Sequence, residues 1–567
     1  MLEPLYISER CHNVNRVIVQ TGLHVSLLGM GLYQMLRRRG ISYKLAAGVT
    51  AVLMLSYAVM TGNSISTRRA IGMLLIYLLA DLLGYGYDLL SALGAVVIFL
   101  LWENPFLIGY SGFLFSAAAV LGVGIGGSII NEYRALFHEN KKENKIENEK
   151  EGRLSGFVQK QKEGICVSFG IQLFTLPLVA YNYFEIPIYA MLLNIFVLAL
   201  VNYLLLFAVW GAGTGTVLPK IGSFLLVFCG WILKLYKALC QFFLSLPGAV
   251  YICGKPALWK MVIYYILLSV LLFFFWKKSS CGSEKTDIKR WKYPLSFIAF
   301  IPLFIILFFP EKREQEIDVL NVGQGDGIYL CTSDGCSLFI DGGSSDIGKV
   351  GTYRILPFLK SRRIKNISYW FVSHTDSDHI SGLEEALKEG WRIEHLVFAK
   401  ASENEEKTME LCRLAKKNET EVLFMSAGNV LHIKQADIRC LYPAENEMAE
   451  INDRCLVLLY EDSGISAFFG GDISTEVEEK IAASGRLFRV DFYKAGHHGS
   501  RYSNGDMFLE ILSPQITVAS AGENNRYGHP AADAVERIKN SGSRFYCTAV
   551  DGQVKVKKRG DGLTRVK

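Results

Sequence analysis

Long apolar runs dominate the first 310 residues, and shorter alternating or fully apolar runs dominate the rest. A helix needs about 20 predominantly apolar residues to cross a bilayer. Segments of this kind fall near 15–36, 43–61, 66–85, 88–103, 106–130, 165–185, 188–210, 218–240, 257–276 and 293–309. The pattern predicts a polytopic α-helical membrane domain of about ten helices over 1–310. The stretch "KALCQFFLSLPG" reads as a separate amphipathic helix lying on the surface. After "PLFIILFFPEKREQEIDVL", where Pro310 closes the last apolar segment, residues 311–567 read as a globular α/β domain. There "EIDVLNVG" and "GIYLCT" predict paired strands around a glycine turn, followed by "SLFIDGG". A helix is expected near 351–361, "ISYWFVS" is a strand buried on both faces, and a helix starts at about Ser381. Later strands are "CLVLLYED", "SAFFGGD", "FRVDFYKAG" and "QITVAS".

Half of the residues, 51%, are apolar, which excludes an ordinary soluble enzyme of this size. A net charge of +6 permits an anionic partner without demanding one. Lys and Arg concentrate in "RRRGISYK" and in "KKSSCGSEKTDIKRWK", which places both loops in the cytoplasm, together with loop 131–164. The last span then delivers the carboxy-terminal domain to the outer face. No basic region precedes a short apolar core at the amino terminus, so the first apolar segment is expected to direct insertion. Cys331 and Cys336 bracket a hairpin turn and are expected as free thiols. Within the apolar half, His24, Arg68 and Arg69 stand out as channel candidates, because ionisable groups in a membrane are costly and often line a polar path. The alternative is that the arginines snorkel at a helix end and His24 bonds to a neighbouring helix. The glycine-rich "VLGVGIGGSII" suggests close helix packing.

The carboxy-terminal half carries "FVSHTDSDHISG", with His374, Asp376, Asp378 and His379 inside six residues after an apolar strand. Two carboxylates gathered this closely repel unless a cation joins them. His374 and Asp376 are expected to reach one ion, and Asp378 and His379 a second. Downstream, "FFGGDIS" places Asp472 where a carboxylate can bridge two ions. "YKAGHHGSRYS" ends a strand with His497 and His498, of which His498 is favoured as the ligand because Gly499 lets the loop close. "NNRYGHP" brings His529 before Pro530, whose ring stiffens the loop. Lys494, Ser500, Asn524 and Tyr527 lie close in sequence and are candidate phosphate contacts.

These motifs resemble the metallo-β-lactamase fold. The set "VGQGD", "DGG", "HTDSDHISG", "GGD", "GHHGS" and "YGHP" resembles the soluble domain of the ComEC family of competence proteins. "QTGLHVSLLG", "GNSISTRRAIGMLL" and "LWENPFLIGYSGFLFSAAAVLGV" resemble that family's competence domain. Asp376 stands where the motif usually has a second His, Asn321 where an Asp is usual, and Cys455 where Ser is common. The family's usual further helices and small OB-like domain are not seen in this sequence, so a short form or a truncated chain is expected. The resemblance implies a polytopic helical membrane domain followed by an αβ/βα metallo-β-lactamase-fold domain. It further implies a membrane channel for one DNA strand, with an extracytoplasmic domain that degrades the other.

The residues suit that chemistry. Two divalent ions can clamp a phosphate, activate water and stabilise the leaving oxygen. Asp376 in place of His makes the first site richer in oxygen, so Mn²⁺ is expected first, with Mg²⁺ and Zn²⁺ as alternatives. His374, Asp376, Asp378, His379, Asp472 and His498 are the expected ligands, and Asp378, His497 and His529 the expected catalytic groups. The partners expected are single-stranded DNA, membrane lipid, a DNA receptor and a cytoplasmic translocation motor, with a homo-oligomeric pore left open. Two alternatives stay open: a membrane-anchored phosphodiesterase acting on a non-DNA substrate, and a channel with a catalytically inactive clamp. The basic run "KSRRIK" reads equally as a DNA contact or as a solvated helix end.

Overall fold

The computed structural model describes residues 23–125, 151–280, 300–445, 452–560 and 562–566. Polar caps cut the apolar sequence of the first half into helices. The helices are α1 (Leu23–Arg38), α2 (Tyr43–Met60), α3 (Ile65–Leu83), α4 (Leu89–Glu103), α5 (Ser111–Ile125), α6 (Glu151–Tyr183), α7 (Ala190–Gly215), α8 (Pro219–Ser245), α9 (Leu258–Ser280) and α10 (Ile301–Phe308). Ser42 and Ser64 accept backbone N–H bonds at the starts of α2 and α3, and Asp88 does so for α4. Each supplies an acceptor to a helix start that has none of its own. Gly84, in the left-handed conformation, ends α3.

Three of these helices, α2, α7 and α8, are long and apolar enough to cross a membrane, and α4, α5 and Leu258–Phe273 are shorter apolar helices. The chain is therefore that of a membrane protein. The stretch "KALCQFFLSLPG" does not form a separate surface helix. Most of it continues α8, which runs unbroken to Ser245, with no Gly or Pro between Gly230 and Pro247. Gly122 of the glycine-rich segment lies against the backbone of Ile171, where a Cβ would clash. Residues 126–150 and 281–299 lie outside the described residues, as does the side chain of His24.

The chain divides into two compact units, Met1–Phe309 and Pro310–Lys567. The second is built on two sheets. One joins β3 (Glu316–Val319), β4 (Gly327–Cys331), β5 (Ser337–Asp341), β6 (Asn366–Phe371), β7 (Arg392–Ala399) and β8 (Glu421–Met425) to the final strands β16 (Val554–Arg559) and β17 (Gly562–Val566), in the order β17-β16-β3-β4-β5-β6-β7-β8. The other runs β15-β14-β13-β12-β11-β10-β9. Its strands are β9 (Val430–Ile433), β10 (Ala436–Tyr442), β11 (Val457–Asp462), β12 (Ile465–Phe469), β13 (Phe492–Lys494), β14 (Ile516–Ala519) and β15 (Arg544–Cys547). The ribbon β1 (Glu185–Pro187) and β2 (Val250–Ile252) belongs to the helical unit.

Period-two patterning assigns the faces. Leu338, Ile340, Tyr369 and Phe371 join Leu458, Tyr460, Ala467 and Phe469 in the core between the sheets. Phe339 and Trp370 pack ring on ring, 4.4 Å apart, on the opposite face of theirs. Val457, Leu459, Phe468 and Tyr493 bury the outer face of the second sheet, under helices α14 (Thr475–Ala483), α15 (Asp506–Leu512) and α16 (Ala532–Asn540). The first sheet is served by α11 (Leu356–Ser361), α12 (Ser377–Lys388) and α13 (Glu406–Lys417), with Leu383, Leu387 and Leu411 buried. This is the αβ/βα sandwich of the metallo-β-lactamase fold.

Helix α12 begins at Ser377, not near Ser381. Asp376 occupies its N-cap, so Asp378 and His379 stand on its first turn rather than in a loop. Cys331 and Cys336 are free thiols beside the β4–β5 turn. The "KSRRIK" run turns partly inward: Arg362 bonds the buried Asp318 at 3.1 Å and pairs with Glu316 at 3.3 Å.

Candidate metal centre

Strand ends from both sheets converge on one cluster. The first sheet delivers Asp326 just before β4, Asp341 at the end of β5, and His374 and His379 after β6. The second delivers Asp472 after β12 and His497 and His498 after β13. Glycines allow the close approach. Gly325, at φ +151°, sits against Gly343 O and Asp378 O, and a Cβ on Gly343 would strike Asp378 and His379. Backbone bonds lock this seam: Asp326 N–H donates to Asp378 O at 3.0 Å, and Gly343 N–H to Asp326 O at 2.9 Å.

Three imidazoles are held from behind. His379 Nδ1 donates to Asp341 Oδ2 at 3.0 Å, and His498 Nδ1 to the Ser520 carbonyl at 3.0 Å. His374 Nδ1 lies 3.1 Å from Ser373 Oγ, which itself donates to Asp341 at 2.9 Å. The opposite nitrogens, Nε2 of His374, His379 and His498, are buried without a hydrogen-bond partner, as is Asp472 Oδ1. Asp472 Oδ2 lies 3.4 Å from His379 Nε2, 3.5 Å from His498 Nε2 and 3.7 Å from His497 Nε2. Asp378 Oδ2 is 3.6 Å from His498 Nε2.

Four overlapping groups have ligand atoms within 4.8 Å of one another: His374–His379–Asp472, Asp378–His379–His498, Asp326–Asp472–His498 and Asp326–Asp341–His379. This donor set fits a divalent cation. The imidazoles are oriented through Nδ1, their free Nε2 atoms converge with carboxylate oxygens, and orphaned buried atoms of this kind are costly without a ligand.

The electrostatics run the same way. Burial works against charge on His498, but Asp472 and Asp326 outweigh it and push the imidazole up to about 9. His379 is likewise raised by Asp472 and Asp341 against its burial. Burial and the neighbouring His379 hold His374 down to about 4. Asp472 is driven well below the carboxylate range, because His498 and His379 overcome its burial.

The placement departs from the expected pairing in two respects. Asp376 is not in the converging set among the described residues. As the N-cap of α12 its carboxylate is 46% exposed, 3.8 Å from His374 Nε2. His379, on the helix's first turn, falls both in the group with His374 and in the group with Asp378. Of the histidine pair, His498 is the buried member, and His497 stands at the rim with 31% of its side chain exposed. Both take left-handed backbone angles, φ 50° and 54°, a conformation that costs a non-glycine residue energy.

His529 lies behind them, its ring 5.6 Å from that of His497. Gln324 Oε1 accepts the Gly522 N–H, which leaves the Gln324 amino group facing His529 Nδ1 at 3.5 Å. That side nitrogen is then the acceptor, and Nε2 carries the proton. Burial and the neighbouring His498 and His497 hold His529 down to about 4.

Lys494 is buried and committed to Asp326 at 2.8 Å, so its ammonium is not at the surface where a phosphate contact was expected. Ser500 is buried and accepts from Tyr502 N–H. Asn524 and Tyr527 are exposed, and Tyr527 stacks on His529. Asp326 and Asp341 escaped the sequence reading as site residues, although their motifs, "VGQGD" and "DGG", were visible. In the helical unit Arg68 pairs with Glu103 and lines a cavity of about 350 Å³ with Asn63 and Phe99. Arg69 is buried and bonds Ser116.

The family model described as "Competence protein" matches residues 20–278. ComE operon protein 3 of Bacillus subtilis is 25% identical over 559 residues, covering 95% of this chain and 67% of its own length. Recombination protein 2 of Haemophilus influenzae is 27% identical over 592 residues, covering 96% and 68%. Competence protein ComA of Neisseria gonorrhoeae is 26% identical over 243 residues, 42% of this chain and 32% of its own. Among solved structures, the metallo-β-lactamase fold protein YhfI from Bacillus subtilis aligns with 41% of this chain and 96% of its own, at 11% identity and a TM-score of 0.29. A diphosphatase of the PhnP family aligns with 42% and 97%, at 15% identity and a TM-score of 0.27. With the competence-protein model matched over its first half, and competence and recombination proteins aligned along nearly its whole length, the chain is similar to the ComEC family of competence proteins.

Proposed function

We propose that this protein takes up DNA, with 1–310 as a membrane channel for a single strand and 311–567 as an extracytoplasmic, metal-dependent phosphodiesterase that degrades the strand left outside. Similarity to competence proteins supports DNA uptake as the process. The orientation rests on the Lys/Arg-rich loops. A DNA receptor, a cytoplasmic motor and a homo-oligomeric pore belong to the same reading.

The observation that carries the enzymatic half is the convergence of buried, partnerless Nε2 atoms of His374, His379 and His498 on Asp472. These residues, with Asp378, would hold two divalent ions, Mn²⁺ first and Mg²⁺ or Zn²⁺ as alternatives, with Asp472 between them. When bound, such ions polarise a phosphate and lower the cost of activating water. Asp341 holds His379 directly and His374 through Ser373, which keeps Nε2 of each free to bind. Gln324 keeps the His529 proton on Nε2, so that ring donates to a phosphate oxygen rather than taking a proton. His497, at the rim, is the group placed to exchange a proton with the leaving oxygen or with solvent.

The test is hydrolysis of end-labelled single-stranded DNA by purified 311–567 with Mn²⁺, Mg²⁺ or Zn²⁺. Cutting that falls on the order of a hundredfold or more in both Asp378→Ala and Asp472→Ala supports the reading. A folded, metal-loaded domain that cuts nothing would return the site to a non-DNA phosphoester or to an inactive clamp.

A further inference from the structure

The two loops that carry His498 and His529 share a feature the chemistry above does not use. Each holds an exposed Arg-Tyr pair: Arg501-Tyr502 in "SRYS" and Arg526-Tyr527 in "NRYG". Tyr502 is 73% exposed and Tyr527 50% exposed. Both exposed rings stand on loops that also carry histidines of the site, which makes them candidate ligand contacts.

Their backbones are not loose. Thr475 donates both its N–H and its hydroxyl to Tyr502 O at 2.9 Å, and Tyr502 N–H donates to Ser500 Oγ. Arg537 of α16 donates to the carbonyls of Arg501, Ser503 and Asn504. Asn525 Oδ1 accepts from the N–H groups of Tyr527 and His529. The loops follow paired parallel strands, β13 and β14, and Ala531 N–H bonds Gly499 O across them at 2.9 Å. The Tyr527 ring also lies over His529, centroids 5.7 Å apart and planes 22° from parallel. The Arg526 guanidinium bonds the Tyr527 hydroxyl at 2.7 Å. A fixed backbone with an open ring and an adjacent guanidinium is the arrangement that takes an unstacked nucleobase and its phosphate together.

We infer that Tyr502 and Tyr527, with Arg501 and Arg526, form a stacking rim that seats the bases of a single-stranded nucleic acid next to the phosphate held at the cluster. The inference rests on the reading of this site as one for nucleic-acid phosphoesters, but its test is binding and needs no cleavage. Duplex bases are stacked on one another and offer no free face, so the rim selects single strands.

The experiment uses the full chain in detergent, with chelator to prevent cutting. Fluorescence anisotropy compares labelled oligothymidylate with an abasic deoxyribose-phosphate oligomer of the same length. The wild type is expected to bind the thymidylate more tightly. Tyr502→Ala and Tyr527→Ala each weaken thymidylate binding, roughly fivefold to a hundredfold per ring, and leave the abasic oligomer unchanged. Tyr502→Trp and Tyr527→Trp restore the preference, which separates stacking from misfolding. Equal wild-type binding of the two oligomers, or alanine variants that lose both equally or neither, overturns the rim. If the base preference is present while no ion supports cutting, the rim stands and the nuclease reading falls.

Discussion

In the helical unit the guanidinium of Arg69, 2% exposed, is met by Ser116 Oγ and Met73 Sδ, and the Tyr33 hydroxyl is met by Asp81. In the carboxy-terminal unit Nε2 of His374, His379 and His498 is equally buried and is met by no hydrogen-bond partner. Both regions remove polar atoms from water, and only the first satisfies them internally. Among the described residues the helical unit leaves one such side-chain atom open, the Thr50 hydroxyl. The carboxy-terminal unit also leaves scattered ones, such as Trp391 Nε1 and Thr408 Oγ1, but at one place it gathers them. A buried polar group that closes on its neighbour serves the fold, and a set left open towards one point serves a ligand.

The largest effect that sharpens this contrast lies within the cluster. His379→Ala removes a ring held by Asp341 and facing Asp472, and metal content measured by mass spectrometry should fall 10- to 100-fold in affinity, on the order expected when a metal site loses a well-held group. Asp376→Ala, on a half-exposed cap, should cost clearly less. Equal losses would restore Asp376 to the ligand set and undo the distinction. Next in size is the helical side. Ser116→Ala leaves a buried Arg69 N–H without its hydroxyl, and thermal unfolding of the full chain in detergent should show a loss of about 1–3 kcal/mol. An unchanged midpoint would mean that this unit tolerates open polar atoms as well.

The smallest effect is a titration. Burial pushes the Glu389 carboxyl up to about 7. Thr352 Oγ1 lies 2.9 Å from both Glu385 Oε2 and Glu389 Oε1. Its single proton serves Glu385, and a proton on Glu389 supplies the other bond. The folded value stands above the unfolded one, so this stabilisation is full below about pH 4.3 and is lost as pH rises through about 7. Urea unfolding of 310–567 should therefore weaken from pH 5 to 8, and Glu389→Gln should flatten that slope.

Much of this was legible beforehand, for identifiable reasons. Apolar runs marked α2, α3 and α4 within a residue or two. The strands before His374 and Asp472 announced themselves by being apolar on both faces. Asp341 was harder, because its importance lies in bonds to Ser373 and His379, 32 and 38 residues away. Lys494 read as a candidate phosphate contact because its partner, Asp326, lies far off in sequence. Spacing alone could not reveal that a helix begins beside Asp376, which leaves its carboxylate half-exposed and 3.8 Å from His374 Nε2.

The cluster draws His374 and His379 from one sheet and Asp472 and His498 from the other. Three of the four ligand groups take residues from both sheets, so a cation seated in one of them would work as a keystone. Its affinity then gauges how well the two layers are registered, and any strain that slides one over the other is felt first as metal loss. Ion and sandwich are thermodynamically one assembly: each stabilises the other by the same free energy.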